Sequence, residues 1–242
     1  MEPKDLESTE AIKYVRKTLL ISSMQMIGMT LVSLLCIYFT ILRLLMREKK
    51  VFVISFNLTF ALFIVLHCFP ELRKKEPWNH LLFLAFSFSM IVFYGSFSAK
   101  VPLVGVTFIL AVSCAVLGLY FGACLAKTST NREYLIRKLF LGALAGFLTC
   151  MLLMVYAMYA FKFNSNSLVF IWTMIIYLLA VAYLGYVVVF VVLPGHAENK
   201  DDIIWGVLRM YIHICFIVLT LLVILGELFK KCFGKNEQRP RR

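Results

Sequence analysis

The chain has 242 residues, of which 62% are apolar and 16% are charged. A soluble domain is roughly 45–50% apolar and about 25% charged, so a soluble globule of this length has no core large enough for these side chains. The net charge of +12 comes from basic clusters between apolar runs, as expected of loops that flank membrane helices and meet anionic headgroups. This composition excludes a secreted disulfide scaffold, a nucleic-acid-binding module and a large extramembrane catalytic domain.

Seven apolar runs follow a polar segment at residues 1–18. Each is long enough to cross a hydrocarbon core of about 30 Å, and because the runs are continuous and not alternating, they predict helices and not barrel strands. The predicted spans are 19–42, 51–68, 80–98, 101–126, 139–161, 168–193 and 203–229. We expect an all-α polytopic membrane protein with one transmembrane domain, residues 19–229, and a basic tail, residues 230–242.

The orientation of these spans depends on the last run. The segment 1–18 carries both signs of charge and does not resemble a cleavable signal peptide, so we expect a cytosolic N-terminal tail. If all seven runs cross fully, 12 Lys and Arg lie on each side and the positive-inside rule is tied. If the last run does not fully cross, the count becomes 18 against 6. Seven crossings, or six with both ends cytosolic, therefore both stay open.

Cysteine spacing and motif content indicate no catalytic or metal chemistry. The seven cysteines are scattered and form no C-x-x-C pair or Cys/His cluster, so neither a zinc site nor a disulfide framework is predicted. No nucleophile–base pair, phosphate-binding loop or two-carboxylate site is present in the sequence. We expect neither an enzyme nor a cofactor-binding protein. The small residues between Gly142 and Gly146 predict a close helix–helix contact.

The last run carries three ionisable residues, Arg209, His213 and Glu227. An ionisable group at the bilayer centre costs roughly 2.5–3.5 kcal/mol on insertion scales, so each requires an explanation. At about 100° per residue the three share one helix face, with Tyr211 about 160° from Arg209. Such a face belongs in a bundle interior or a water-filled cavity, where a histidine, with an unperturbed pKa of about 6.5, suits a gate or proton sensor. The alternative is that Arg209 and Glu227 snorkel to the interfaces and His213 is a buried, hydrogen-bonded histidine.

Three stretches together resemble the Bax-inhibitor-motif transmembrane family, and most closely its lifeguard branch. The first is the entry to the first span, with Arg16, Lys17 and the later Gln25. The second is the basic cluster followed by Pro77 and Asn79. The third is the start of the last helix, with the acidic pair Asp201 and Asp202, an aromatic residue, and a Tyr-x-x-Ile segment. In sequence these are Val15-Arg16-Lys17-Thr18-Leu19-Leu20, Arg73-Lys74-Lys75-Glu76-Pro77-Trp78-Asn79, and Asp201-Asp202-Ile203-Ile204-Trp205-Gly206 with Tyr211-Ile212-His213-Ile214.

The resemblance implies a seven-helix bundle in which two three-helix layers surround a central last helix. It also implies residence in endoplasmic reticulum or Golgi membranes, suppression of cell death and a pH-sensitive calcium leak. The expected partners are the lipid bilayer, calcium ions and other membrane proteins of the cell-death machinery. In the family an aspartate pair controls the leak, and these two positions fall on Val187 and His213 here. Two functions are therefore expected: a cell-death regulator that modulates calcium stores, or a non-conducting interaction protein that kept the fold and lost the ion site.

Overall fold

The computed structural model describes residues 3–100, 102–126, 132–160, 167–194 and 202–214, and almost all of these are helical. A π-helical turn, Val188–Val192, extends the eighth helix. The helices are α1 Pro3–Tyr38, α2 Thr40–Arg47, α3 Lys49–Cys68, α4 Pro70–Lys74, α5 Trp78–Lys100, α6 Pro102–Leu125, α7 Arg132–Ala160, α8 Ser167–Val187 and α9 Ile203–Ile214.

Six helices in the described ranges are long and apolar enough to cross a membrane: α1, α3, α5, α6, α7 and α8. Many of their large apolar side chains face outward; Leu152 is 72% exposed and Phe88 is 67% exposed. Outward apolar surface on this scale is expected of helices that contact lipid, because soluble proteins rarely expose large contiguous apolar patches. The chain is therefore an all-α, multi-pass integral membrane protein. Of the predicted span 203–229, only the part up to Ile214 lies within the described residues.

Two boundaries of the first predicted span differ from the structure. The apolar span of α1 begins at Glu10 and not at Leu19, and Tyr14, Val15 and Thr18 in this added part are buried in the bundle. The same run was expected to continue to residue 42, but α1 ends at Tyr38 and the extended backbone of Phe39 separates it from α2. The apolar composition is continuous across this break, so composition alone did not reveal it.

α6 and α7 are in backbone contact along their glycine faces. A methyl group added at Gly142 would lie 2.1 Å from the carbonyl oxygen of Gly118 and 2.6 Å from the Cα of Gly122. One added at Gly146 would lie 2.6 Å from the carbonyl oxygen of Cys114. These separations confirm the close contact predicted from the small residues, since only glycine lets the two backbones approach so far.

The described part of α9 is surrounded by other helices. It contacts α1 through Gly206, α4 through Asp202, α5 through Tyr211 and α8 through His213. Five of its side chains besides Gly206 are buried: Val207, Leu208, Met210, Tyr211 and Ile214. A helix that is buried on several faces belongs to the interior of a bundle.

α9 begins at the end of the bundle where α1 begins. We call this end the N-terminal face; it contains Arg16, Arg73, Ala126 and Asp202, which are linked by the contacts described below. Six successive crossings bring the chain back to its starting side, so the position of Asp202 agrees with alternating antiparallel spans. α2, after one crossing, lies at the opposite face.

Candidate functional site

A buried ion pair joins the start of α9 to α4. The Nε of Arg73 lies 2.5 Å from Oδ2 of Asp202, and the two side chains are only 5% and 3% exposed. Asp202 also accepts a 3.0 Å hydrogen bond from the backbone N–H of Trp205 through Oδ1, which is the geometry of a helix N-cap. Arg73 donates a second bond, of 2.9 Å, to the carbonyl of Leu66 in the last turn of α3. Both charges are therefore compensated, and the pair fixes the ends of α3 and α9 together.

The ring of Trp205 contacts two arginines and one histidine from separate parts of the chain. The guanidinium carbon of Arg73 is 4.4 Å from its ring centroid, and that of Arg209 is 5.0 Å away. The imidazole of His67 is centred 4.9 Å from the same ring. Indole is the strongest cation–π acceptor among the side chains, so Trp205 partly compensates two arginines that share a mostly apolar environment.

α1 approaches this cluster at Gly206. The hydroxyl of Tyr14 donates to the backbone carbonyl of Asp202 at 3.2 Å. A Cβ at Gly206 would lie 2.7 Å from both the Tyr14 hydroxyl oxygen and Oγ1 of Thr18. Any larger residue at position 206 would therefore require the Tyr14 and Thr18 side chains to move away from α9. We name the group formed by Tyr14, Arg73, Asp202, Trp205 and Gly206 the α9 anchor.

Of the family-motif residues near the N-terminus, Arg16 has a clear structural role. Its Nε and Nη2 donate to the carbonyls of Ala123 and Ala126, at 2.8 and 2.6 Å. These carbonyls lie at the end of α6, where helix carbonyls run out of intrahelical donors; that of Ala123 also accepts a 3.3 Å bond from the backbone N–H of Ala126. The neighbouring Lys17 is exposed and lies outside these contacts.

Gln25 lies deeper in the bundle, where its amide nitrogen donates to the hydroxyl of Ser87 on α5. Among the described residues, its amide oxygen has no hydrogen-bond partner, and neither do the buried hydroxyls of Thr18 and Ser22. These three residues follow one face of α1 at helical spacing, and the first of them faces Gly206. α1 therefore has a buried polar face that contacts α9 at Thr18 and α5 at Gln25, a feature that a pattern based on ionisable residues does not detect.

The structure does not bring Pro77 and Asn79 into the α9 anchor. Pro77 is exposed in the turn before α5, and the side-chain oxygen of Asn79 accepts a bond from the backbone N–H of His80. Asp201 and Glu227 lie outside the described residues, so the predicted stripe can be followed only through Arg209 and His213.

The two positions that match the family aspartates lie along the same contact between α8 and α9. Nδ1 of His213 is 2.7 Å from the hydroxyl of Tyr183, and their rings meet edge to face. Val187, which is fully buried, follows Tyr183 by one helical turn on the same side of α8. Arg209, one turn before His213, approaches the carbonyl of Val191 in the π-helical turn at 3.5 Å. We call this contact the α8–α9 seam.

Tyr211 occupies the other side of α9, as its angular offset from Arg209 predicted. It is buried and meets the ring of Phe86 on α5 edge to face, with centroids 5.7 Å apart. Tyr183 was not predicted from the sequence, although its spacing of four residues from Val187 places both on one face of α8. The partner of Arg73 was not predicted either, because a contact across 129 residues leaves no local pattern.

The described part of the site carries more positive than negative charge. Arg73, Arg209 and the titratable His213 face a single carboxylate, Asp202, which Arg73 already neutralises. Within the described ranges, no group of three or more His, Cys, Asp and Glu is placed to hold a metal ion. This arrangement anchors a central helix and offers a divalent cation few ligands.

No protein-family model, no curated protein and no solved structure matches this chain.

Proposed function

We propose that the chain is a seven-helix membrane protein of the Bax-inhibitor type, similar to lifeguard proteins, that regulates cell death and intracellular calcium stores. The α9 anchor is the observation that supports this proposal. The three stretches on which the resemblance rests are far apart in sequence, yet Thr18 of the first contacts Gly206 of the third. Arg73 of the second pairs with Asp202 of the third. Under this proposal the protein resides in endoplasmic reticulum or Golgi membranes with its N-terminus in the cytosol.

Such a regulator has two forms, a pH-sensitive calcium leak gated at His213 or a non-conducting protein that acts through membrane partners of the cell-death machinery. The charge of the α8–α9 seam favours the second. A divalent ion about 5 Å from a guanidinium is repelled by roughly 7 kcal/mol at an effective dielectric constant of about 20. Val187 supplies no oxygen that could offset this repulsion at Arg209, and His213 is a nitrogen ligand that calcium does not favour.

Calcium flux into dye-loaded liposomes distinguishes the two forms. Purified full-length protein would be reconstituted and assayed from about pH 5.5 to 8, the range in which a histidine changes its charge, with empty liposomes as the control. The non-conducting form predicts flux equal to the control at every pH. Flux above the control that changes between about pH 6 and 7, and that His213→Ala makes independent of pH, would establish the leak.

The regulatory role itself requires a cellular measurement. Cells that express the chain should differ from control cells in store calcium and in survival after store depletion. Arg73→Ala, which leaves Asp202 buried without its partner, should abolish that difference, because it releases the start of α9. Lys74→Ala removes the same charge from the exposed neighbouring residue. Cells that express this variant should still differ from control cells in store calcium and survival. Equal store calcium and survival with and without the wild-type protein would refute the proposed role.

A further inference from the structure

α2 differs from the spans on either side of it. It is eight residues long and contains no buried residue, too short to cross a bilayer at 1.5 Å per residue. It connects the end of α1 to the start of α3, so it lies where the chain reverses at the opposite face. A helix too short to cross lies between headgroups and acyl chains when it carries an apolar face beside a charged face.

The side chains of α2 form three separate faces. Leu42 and Met46 are half-buried toward α5, where the hydroxyl of Ser96 donates to the carbonyl of Met46. Ile41, Leu44 and Leu45 form an outward apolar face and are 85%, 61% and 57% exposed. The third face is basic. An apolar face next to a basic face, on a helix fixed at the bilayer edge, is the pattern of an interfacial helix.

The basic face continues into the neighbouring helices. Arg43 and Arg47 stand one turn apart on α2, and Lys49 and Lys50 begin α3. Lys100, at the end of α5, is held near them with its ammonium 3.9 Å from the ring centroid of Phe52 on α3. The segment 43–50 and Lys100 therefore carry five cations and one carboxylate, Glu48.

We propose that α2 and these flanking cations form a binding site for anionic phospholipid. The apolar face inserts among the acyl chains, which cover Ile41, Leu44 and Leu45, while the cations bind the phosphates of the headgroups. The excess of positive charge selects an anionic over a zwitterionic headgroup, because a zwitterion brings no net negative charge to the site. This site does not depend on the proposed cellular role, since it lies at the face opposite the α9 anchor.

Lipid retention by the detergent-purified full chain tests the site. The protein would be titrated with phosphatidylglycerol and with phosphatidylcholine, and bound lipids counted by native mass spectrometry. Each cation near an anionic surface contributes about fivefold to the binding constant. Arg47→Gln with Lys50→Gln should therefore weaken phosphatidylglycerol binding by about 25-fold and leave phosphatidylcholine binding unchanged.

A matched variant removes the same charge at the other end of the bundle. Lys74→Gln with Lys75→Gln replaces two exposed lysines at the N-terminal face, and it should change phosphatidylglycerol binding by less than about twofold. An equal loss in the two double variants would overturn the site, because net charge alone would then explain the binding. Equal retention of the two lipids by the wild type would overturn it as well.

Insertion of the apolar face has its own readout. Leu44→Trp should add emission that lipids with brominated acyl chains quench and that aqueous iodide does not, relative to the wild type with its three tryptophans. Quenching of the added emission by iodide, but not by brominated lipid, would show that this face of α2 is exposed to water and would refute the interfacial placement.

Discussion

Removing one member of the Arg73–Asp202 pair should cost far more than removing both. The side chains are 5% and 3% exposed, so Asp202→Asn leaves a guanidinium buried without its counter-charge. Breaking a buried pair from one side costs about 3–5 kcal/mol, whereas replacing both partners by uncharged groups is often close to neutral. Asparagine can still accept the N-cap bond from Trp205, so the loss in this variant reports mainly the charge.

A double-mutant cycle measures this coupling. Equilibrium unfolding in mixed micelles should show losses of about 3–5 kcal/mol for Arg73→Met and for Asp202→Asn separately, and a combined loss smaller than either. Lys74→Met, at the exposed neighbouring position, should change stability by less than about 0.5 kcal/mol. Additive losses below about 1 kcal/mol each would refute the reasoning, because they would mean that water already solvates the pair.

Three further predictions address helix packing and capping. Gly142→Ala should destabilise the bundle by about 1–3 kcal/mol or more in the same unfolding assay. Gly185→Ala is the control and should be tolerated, because its added methyl group would lie 3.8 Å from its nearest neighbour. Equal losses in the two variants would refute the glycine contact. Arg16→Gln should cost about 1–3 kcal/mol by removing the bonds from its guanidinium to the Ala123 and Ala126 carbonyls, with Lys17→Gln as the neutral control. Tyr183→Phe should cost about 0.5–1.5 kcal/mol by removing the hydrogen bond at the α8–α9 seam, and an unchanged stability would mean that water replaces it.

The membrane-helix class and the position of most spans were predictable from the sequence, because both depend on local composition. The run predicted at 51–68 forms α3, Lys49–Cys68, and the small residues of α7 form the expected close contact. α2 was not predicted, since its first residues, 40–42, continue the apolar run of α1 without a turn residue between them. An interfacial helix is marked by a charged face beside its apolar face, and the two arginines of α2 lie beyond the end of the predicted apolar run.

The α9 anchor was predictable only in part. An acidic residue just before a helix is a common N-cap, and Asp202 accepts the backbone N–H of Trp205 in this way. Arg73 was read as one member of a loop cluster, because its neighbours Lys74 and Lys75 are exposed and nothing local distinguishes it from them. Its burial depends on a partner 129 residues away, and only the assembled bundle brings the two together.

Under the proposed function, the α8–α9 seam has the family's geometry without the two carboxylates that would bind calcium. The most direct test is calcium flux into liposomes that contain Val187→Asp with His213→Asp, compared with the wild type and with Val187→Asn and His213→Asn, which match the size without the charge. We expect flux above empty liposomes for the aspartate variant alone. Flux through the wild type, or none through a correctly folded aspartate variant, would contradict the account.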